Sequence, residues 1–310
     1  MEKDVFFNLS TQAVADLVDE KGKPKAGIFI PDGNRRLVLA ETDLAPNSDA
    51  FFSQVAHSQT GHGLNTLKVF FSHGLPILFA PLFSASVLAR GPAYYRLTAL
   101  KTLEIMVTSR EWVEFFTSMQ VRVRVYGALS ELADKGDQHI LGLVEQVQQA
   151  TQAHAAHLLY LGIGGEPWVG HDGAMAGARF YDTHRRVPTN SPADRDELLR
   201  LLYGQPVPPA DFLIMSSQLA GLGALPALVC GKDTQVYYLA APGVVGLTQQ
   251  TYRAILYDLL YSREVAKHEI SSPGERRQLR AWYQQHAQIV VGLGHKIGAV
   301  WVPDLFERDH

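Results

Sequence analysis

One cysteine, Cys230, stands in a chain of 310 residues. That excludes an internal disulfide framework and any metal site built on clustered thiolates. Charge of either sign is modest: 28 lysines and arginines stand against 31 acidic residues, a net of −3, and no basic run gathers them. A nucleic-acid partner, which would need a basic stripe, is therefore not expected. No apolar stretch reaches membrane-spanning length, and the start Met1-Glu2-Lys3-Asp4 lacks the basic-then-apolar order of a signal peptide. These absences predict a soluble, cytoplasmic protein with no integral membrane association. The glycine patterns of the common nucleotide folds are missing too. Asp32-Gly33-Asn34 is neither a dinucleotide loop nor a Walker loop, and Gly162-Ile163-Gly164-Gly165 is a lone cluster that a tight turn explains at least as well.

What is present is an ordinary globular composition, 46% hydrophobic and 19% charged, on a chain long enough to bury a substantial core. Short β-rich runs at 26–31, 76–83, 121–127, 157–165, 211–216 and 236–241 alternate with helical periodicity at 63–73, 94–107, 110–119, 139–154, 194–203 and 248–264. Nearly continuous apolar strands separated by helices predict an α/β fold, a mostly parallel six-stranded central sheet covered by helices on both faces. We expect a single domain over 1–310. Its tail, 266–310, is expected to be a C-terminal extension packing on that domain, with a helix at 280–286 and a short strand at 298–303.

The most informative stretch is Ala26-Gly27-Ile28-Phe29-Ile30-Pro31-Asp32-Gly33-Asn34-Arg35-Arg36. A strand-length apolar run stops at a carboxylate, followed by a glycine, an amide and two arginines. Asp32 can hold a divalent cation, Gly33 permits a tight turn that exposes backbone N–H groups, and Arg35 and Arg36 can fork onto phosphate oxygens. Ligands of parallel sheets sit outside the carboxyl ends of the strands, where Asp32 falls. Taken alone, adjacent arginines are more often a solvated pair, and a carboxylate before a helix is often only its cap.

The Asp-Gly-Asn-Arg-Arg string at 32–36 resembles the signature of the cis-prenyltransferase (Z-prenyl synthase) family, without a gap. His73-Gly74-Leu75 and the strand ending Phe83-Ser84, with Arg90 six residues on, are similar to that family's next segment. Residues 157–165 and Asp211-Phe212-Leu213-Ile214 resemble its later strands. Chain-elongating members carry two arginines and a serine after the last of these strands, to bind a second diphosphate. Here the run from Met215 to Gly223 holds no basic residue before Lys232, and Gln235 sits nearest the place of the family's magnesium-holding glutamate. An anionic second substrate would find no counter-charge there. Over nearly its whole length the chain resembles the diterpene synthase branch of this fold, of the tuberculosinol- and kolavelool-forming type. Val125-Tyr126-Gly127, Arg253-Ala254-Ile255-Leu256-Tyr257-Asp258 and Val291-Gly292-Leu293-Gly294 carry that likeness.

The resemblance implies ionisation of a bicyclic C20 allylic diphosphate (kolavenyl- or tuberculosinyl-type), with water capture to a tertiary diterpene alcohol such as kolavelool. It also implies Mg²⁺ as cofactor and a homodimer. Asp32 is assigned to Mg²⁺ or to the leaving group, and Arg35, Arg36 and Arg90 to the diphosphate, with Gly33 contributing its turn. Asn34 either orients the diphosphate or a water, or serves as a turn amide. Ser84 either meets phosphate or caps its turn. His57 fits the family histidine by spacing and His62 by its glycine neighbour; either also reads as an ordinary packed histidine. A short-lived cation calls for a dry aromatic pocket. Phe71, Phe83, Tyr94 and Tyr95 are the leading candidates, with Phe70, Phe115 and Phe116 also at helical spacing, although each ring alone reads as core. Two alternatives remain: transfer of the diterpenyl group to a nucleoside or other small nucleophile, and a non-catalytic subunit, which would not need Asp32, Arg35 and Arg36.

Overall fold

Each apolar run becomes a strand: β1 (Ala26–Ile30), β2 (Ile77–Ser84), β3 (Val121–Tyr126), β4 (His157–Gly165), β5 (Ala210–Ser216) and β6 (Cys230–Leu239). They form one sheet in the order β3-β4-β2-β1-β5-β6, and every pairing is parallel. The structure, a computed structural model, describes all residues except 136, 166–169, 217–224, 264–271, 288, 290, 299 and 305–310. Strand β1 lies at the middle, with Ala26, Gly27, Ile28 and Phe29 all buried. That is why it reads as an unbroken apolar run. Gly27 is dictated by packing, because a Cβ there would stand 2.1 Å from the ring of Phe212 on neighbouring β5.

Helix α1 (Asn34–Glu41) leaves β1 directly, and the long α2 (Asp49–Ser72) returns towards β2. With α3 (Lys101–Thr108) and the helices Arg110–Ser118 and Gln249–Tyr257, α2 covers one face. The core there includes Phe29, Phe70, Phe71, Phe115, Phe212 and Tyr252. The opposite face buries Ile28, Phe79, Tyr160, Leu213, Leu199 and Tyr203, the last two from helix Pro192–Tyr203.

Several elements differ from the sequence expectation for identifiable reasons. Helix α2 begins at Asp49 and not near 63, capped by the Ser48 hydroxyl, which accepts from Phe51 N–H at 3.2 Å. Packing of its apolar side carries it through Gly61 and Gly63. Strand β6 starts at Cys230, six residues before the apolar run at 236; it is an edge strand, so its polar Lys232 and Asp233 are exposed. The expected helix at 94–107 is three pieces: a turn at Pro92–Tyr94, a π-helical stretch at Tyr95–Leu100, and α3. The tail helix starts at Pro273, where Ser272 and Glu275 form a capping box, and a ribbon of β7 (Gly294–Ile297) and β8 (Val300–Pro303) follows. Helices at Lys3–Phe7, Thr11–Lys21, Leu129–Lys135 and His171–His184, like α1, were not among those expected.

Two histidines, His73 in the core and the half-buried His157, make stability pH-dependent. Burial holds His73 and His157 below the ordinary imidazole range, more strongly than the Val69 and Leu75 carbonyls that face them raise it; the Arg253 charge lowers His73 further. The unfolded chain therefore takes up protons near pH ~6.5 while the folded one resists. Their contribution to stability is full above about pH 6.5 and declines as pH falls below it. Melting curves over about pH 5–8 should show Tm falling on acidification, with a shallower slope in His157→Gln. A Tm that is flat or rises towards acid contradicts this account.

Candidate active site

The site begins where β1 runs out. Asp32 N–H donates to the Ser216 hydroxyl at 2.8 Å, so the end of β5 fixes the backbone at the end of β1. Gly33 then adopts φ 98°, a left-handed conformation that a side chain would resist, and caps α1. The turn points Gly33 N–H at Asp32 Oδ1, 2.7 Å away, and Arg36 reaches back one helical turn to Asp32 Oδ2 at 2.9 Å. All five residues from Asp32 to Arg36 line one cavity of about 510 Å³. The first turn of α1 thus presents its positive end to that space, a favourable setting for an anion.

A second pair of elements supplies more positive charge. Beyond β2, Arg90 bonds the Tyr94 hydroxyl at 2.9 Å, and its guanidinium lies 5.1 Å from the Tyr94 ring centre. Arg35 approaches the same ring at 5.5 Å. One tyrosine ring therefore gathers two cations from separate segments at the cavity. Arg35 Nε and Asn34 Oδ1 are buried without a hydrogen-bond partner among the described residues. Buried polar atoms left unpaired beside a cavity are uncommon and call for an explanation, of which a polar ligand is one. Ser84 and Ser86 also face the cavity, their hydroxyls 2.6 Å apart.

Behind the polar mouth the walls turn apolar. Val55 of α2, Leu82 and Phe83 of β2, Val87 and Ala99 line the larger cavity. A smaller chamber of about 50 Å³ adjoins it and shares Pro31, Gln59, Pro81, Leu82 and Thr102 as walls. Its remaining lining is mostly apolar, including Phe29, Leu67, Met106 and Trp112.

Of the residues expected from sequence, the structure brings Asp32, Gly33, Asn34, Arg35, Arg36, Phe83, Ser84, Arg90 and Tyr94 together around one cavity. It does not bring His57, His62, Phe71 or Tyr95 there. Helix α2 turns Val55 and Gln59 towards the cavity; His57 and His62 fall off that side, and His57 is exposed. Phe71 is core, with its ring 4.8 Å from His157, and Phe70, Phe115 and Phe116 are core as well. Tyr95 is buried in a cluster with Leu103, Ile140 and Val144, since neighbours on a helix point about 100° apart. Tyr94 has a role the sequence reading missed: its ring holds arginines. Missed altogether were Gln59, Thr102, Ser86 and Ser216. Gln59 alone had a readable signal, one polar residue four places from Val55 and from Gly63.

The absent basic residues after β5 fall at 217–224, outside the described residues. At the edge beyond, Gln235 bonds Arg263, and Arg263 in turn bonds Asp258 at 2.5 Å. Among the described residues no cluster of three or more His, Cys, Asp or Glu could hold a metal. The residues therefore fit Mg²⁺ only in the mode where one carboxylate, Asp32, shares the ion with substrate phosphate oxygens and water. The Asp32 side chain is 53% exposed and open to such a ligand. No described helix is long and apolar enough to cross a membrane.

The fold and this site define a class: the chain has the cis-prenyltransferase fold. It superimposes on a lavandulyl diphosphate synthase from Lavandula x intermedia crystallised with dimethylallyl diphosphate, with a TM-score of 0.60 and 16% identity, covering 78% of this chain and 97% of that one. A probable undecaprenyl diphosphate synthase from Campylobacter jejuni gives 0.54 and 18% over the same shares. In sequence, the chain is 28% identical over 305 residues to the tuberculosinyl adenosine transferase of Mycobacterium tuberculosis (strain CDC 1551 / Oshkosh), covering 96% of each. It is 25% identical over 284 residues to the (+)-kolavelool synthase of Herpetosiphon aurantiacus, covering 90% of this chain and 89% of that one. No family model matches the chain.

Proposed function

We propose that this protein is a diterpene synthase that ionises a bicyclic C20 allylic diphosphate, of the kolavenyl or tuberculosinyl type, and lets water capture the cation as a tertiary alcohol such as kolavelool. The observation that carries it is a cavity with a cationic lining that adjoins an apolar chamber, in a chain with no basic residue between Arg200 and Lys232. Such a site suits one diphosphate and its hydrocarbon, and the run after β5 carries no cation to meet a second diphosphate. The two sequence relatives, both named for diterpene chemistry, support the same reading.

In this mechanism Arg35, Arg36, Arg90 and the first turn of α1 surround the diphosphate, and stabilise the negative charge that grows on it as the allylic C–O bond breaks. Asp32 holds Arg36 in position through Oδ2. Magnesium, where bound at Asp32, would add electrostatic stabilisation of the same leaving group. Leu82, Phe83, Val87 and Ala99 exclude bulk water from the hydrocarbon, so the cation meets only what the cavity admits.

A second reading has support of its own, from the relative named as an adenosine transferase. There the cation is captured by a nucleoside. One experiment separates these readings. The pure protein is incubated with kolavenyl, tuberculosinyl and geranylgeranyl diphosphates, with and without adenosine, and products are identified by mass spectrometry. A tertiary alcohol from a bicyclic substrate is the expected result. A conjugate formed only with adenosine selects the second reading, and no terpene product from any substrate refutes both.

A further inference from the structure

The boundary between the two chambers carries two polar side chains besides the Asp32–Arg36 turn and Arg90. Thr102 and Gln59 line both chambers. Thr102 lies on α3, directly after the π-helical stretch, and is 1% exposed, yet its hydroxyl has no hydrogen-bond partner among the described residues. That is unlike five other threonines in or capping the chain's helices. Thr42, Thr60, Thr108, Thr151 and Thr183 each donate to the carbonyl four residues back, at 2.6 to 2.9 Å. Thr98, also on the wall, donates to Phe52 O at 3.0 Å. A buried hydroxyl that forgoes so near an acceptor is destabilising unless something else satisfies it. Interrupted helices of the π kind recur where a function has required the shift. Gln59 likewise makes no hydrogen bond to a described residue, and its amide offers both a donor and an acceptor.

We propose that Thr102 and Gln59 form the binding site for the nucleophilic water, seated between the diphosphate mouth and the apolar chamber. The inference rests on the diterpene synthase reading. The Thr102 hydroxyl and the Gln59 amide hold the water oxygen towards the hydrocarbon. The allylic C–O bond breaks and its electron pair leaves with the diphosphate. The water oxygen forms a C–O bond with the tertiary end of the allyl cation. Its surplus proton passes to the released diphosphate, the strongest base at the mouth. When no water is seated, the cation loses a proton to the same diphosphate and a diene results. The pair thus sets the ratio of alcohol to diene.

The test measures that ratio by gas chromatography and mass spectrometry for wild type, Thr102→Val, Thr102→Ser and Gln59→Leu, with the alcohol oxygen traced in ¹⁸O-labelled water. Valine keeps the shape of threonine and removes only the unpaired hydroxyl, so Thr102→Val should melt no lower than wild type. The expected result is an alcohol-to-diene ratio about tenfold lower in Thr102→Val and in Gln59→Leu, the size of one lost hydrogen bond. Thr102→Ser should restore it, with label from the water in the alcohol throughout. An unchanged ratio in both Thr102→Val and Gln59→Leu overturns the assignment while leaving the synthase reading standing. A wild-type protein that ionises no diterpenyl diphosphate overturns that reading and this inference with it.

Discussion

Replacing Asp32 by alanine should lower kcat for diphosphate release by about 10²–10³-fold while leaving KM unchanged or lower, measured with the bicyclic C20 substrate. The split follows from charge. Asp32 is an anion set among Arg35, Arg36 and Arg90, so as a simple neighbour it opposes binding of a diphosphate. Its removal therefore costs no ground-state affinity. What it loses is control: Oδ1 accepts from Gly33 N–H at 2.7 Å and Oδ2 from Arg36 at 2.9 Å, fixing the turn and the guanidinium that must meet the growing charge. It also removes the one carboxylate among the described residues of the site able to share a magnesium ion. The side chain is half exposed, so the fold should survive and melting should change little. Asp32→Asn keeps one acceptor for the turn but no charge, and should fall between alanine and wild type. Activity of Asp32→Ala within about twofold of wild type would remove the basis for the site assignment.

The parts of this architecture that were legible in sequence are those where one local interaction dominates. A doubly buried strand such as β1 must be apolar throughout, and the turn after it needs glycine at 33, so both can be read directly. The arginines of the mouth were legible by type, but their convergence on Tyr94 was not. It depends on α1 and the segment after β2 meeting in space, which no spacing encodes. The histidines failed for a related reason. Their positions in α2 suit the family pattern, whereas the direction of each side chain depends on which face of a 24-residue helix packs inward. Phe71 and Tyr95 show the same limit from the other side, since an aromatic ring on an apolar face serves a core as well as a pocket. Thr102 could not have been found at all, because its significance lies in a hydrogen bond it does not make.

Arg253→Met should be strongly destabilising although it lies outside the site, lowering stability by about 3–4 kcal/mol and Tm by roughly 5 °C. Arg253 is 5% exposed, on the helix Gln249–Tyr257. Its Nη1 donates to the carbonyls of Phe7 and Leu9 at 2.8 and 2.7 Å, and Nε donates to His73 Nε2 at 3.2 Å. Phe7 ends the first helix, Lys3–Phe7, so the guanidinium satisfies a carbonyl that the helix leaves open and sits at its negative end. One side chain therefore ties the N-terminus and the end of α2 to a helix near the other end of the chain. Methionine fills the stem's volume but strands both carbonyls and the histidine. Lysine keeps the charge without the fork, so Arg253→Lys should recover only part of the loss. The bond to His73 requires that Nε2 accept, hence a neutral ring with its proton on Nδ1 facing Val69 O at 2.8 Å. Acid would place a second cation against Arg253, so Arg253→Met, already without this contact, should lose part of the wild type's decline in Tm below about pH 6.5. A melting point within about 1 °C of wild type, or an undiminished pH slope, would show that this contact does not carry the N-terminal segment.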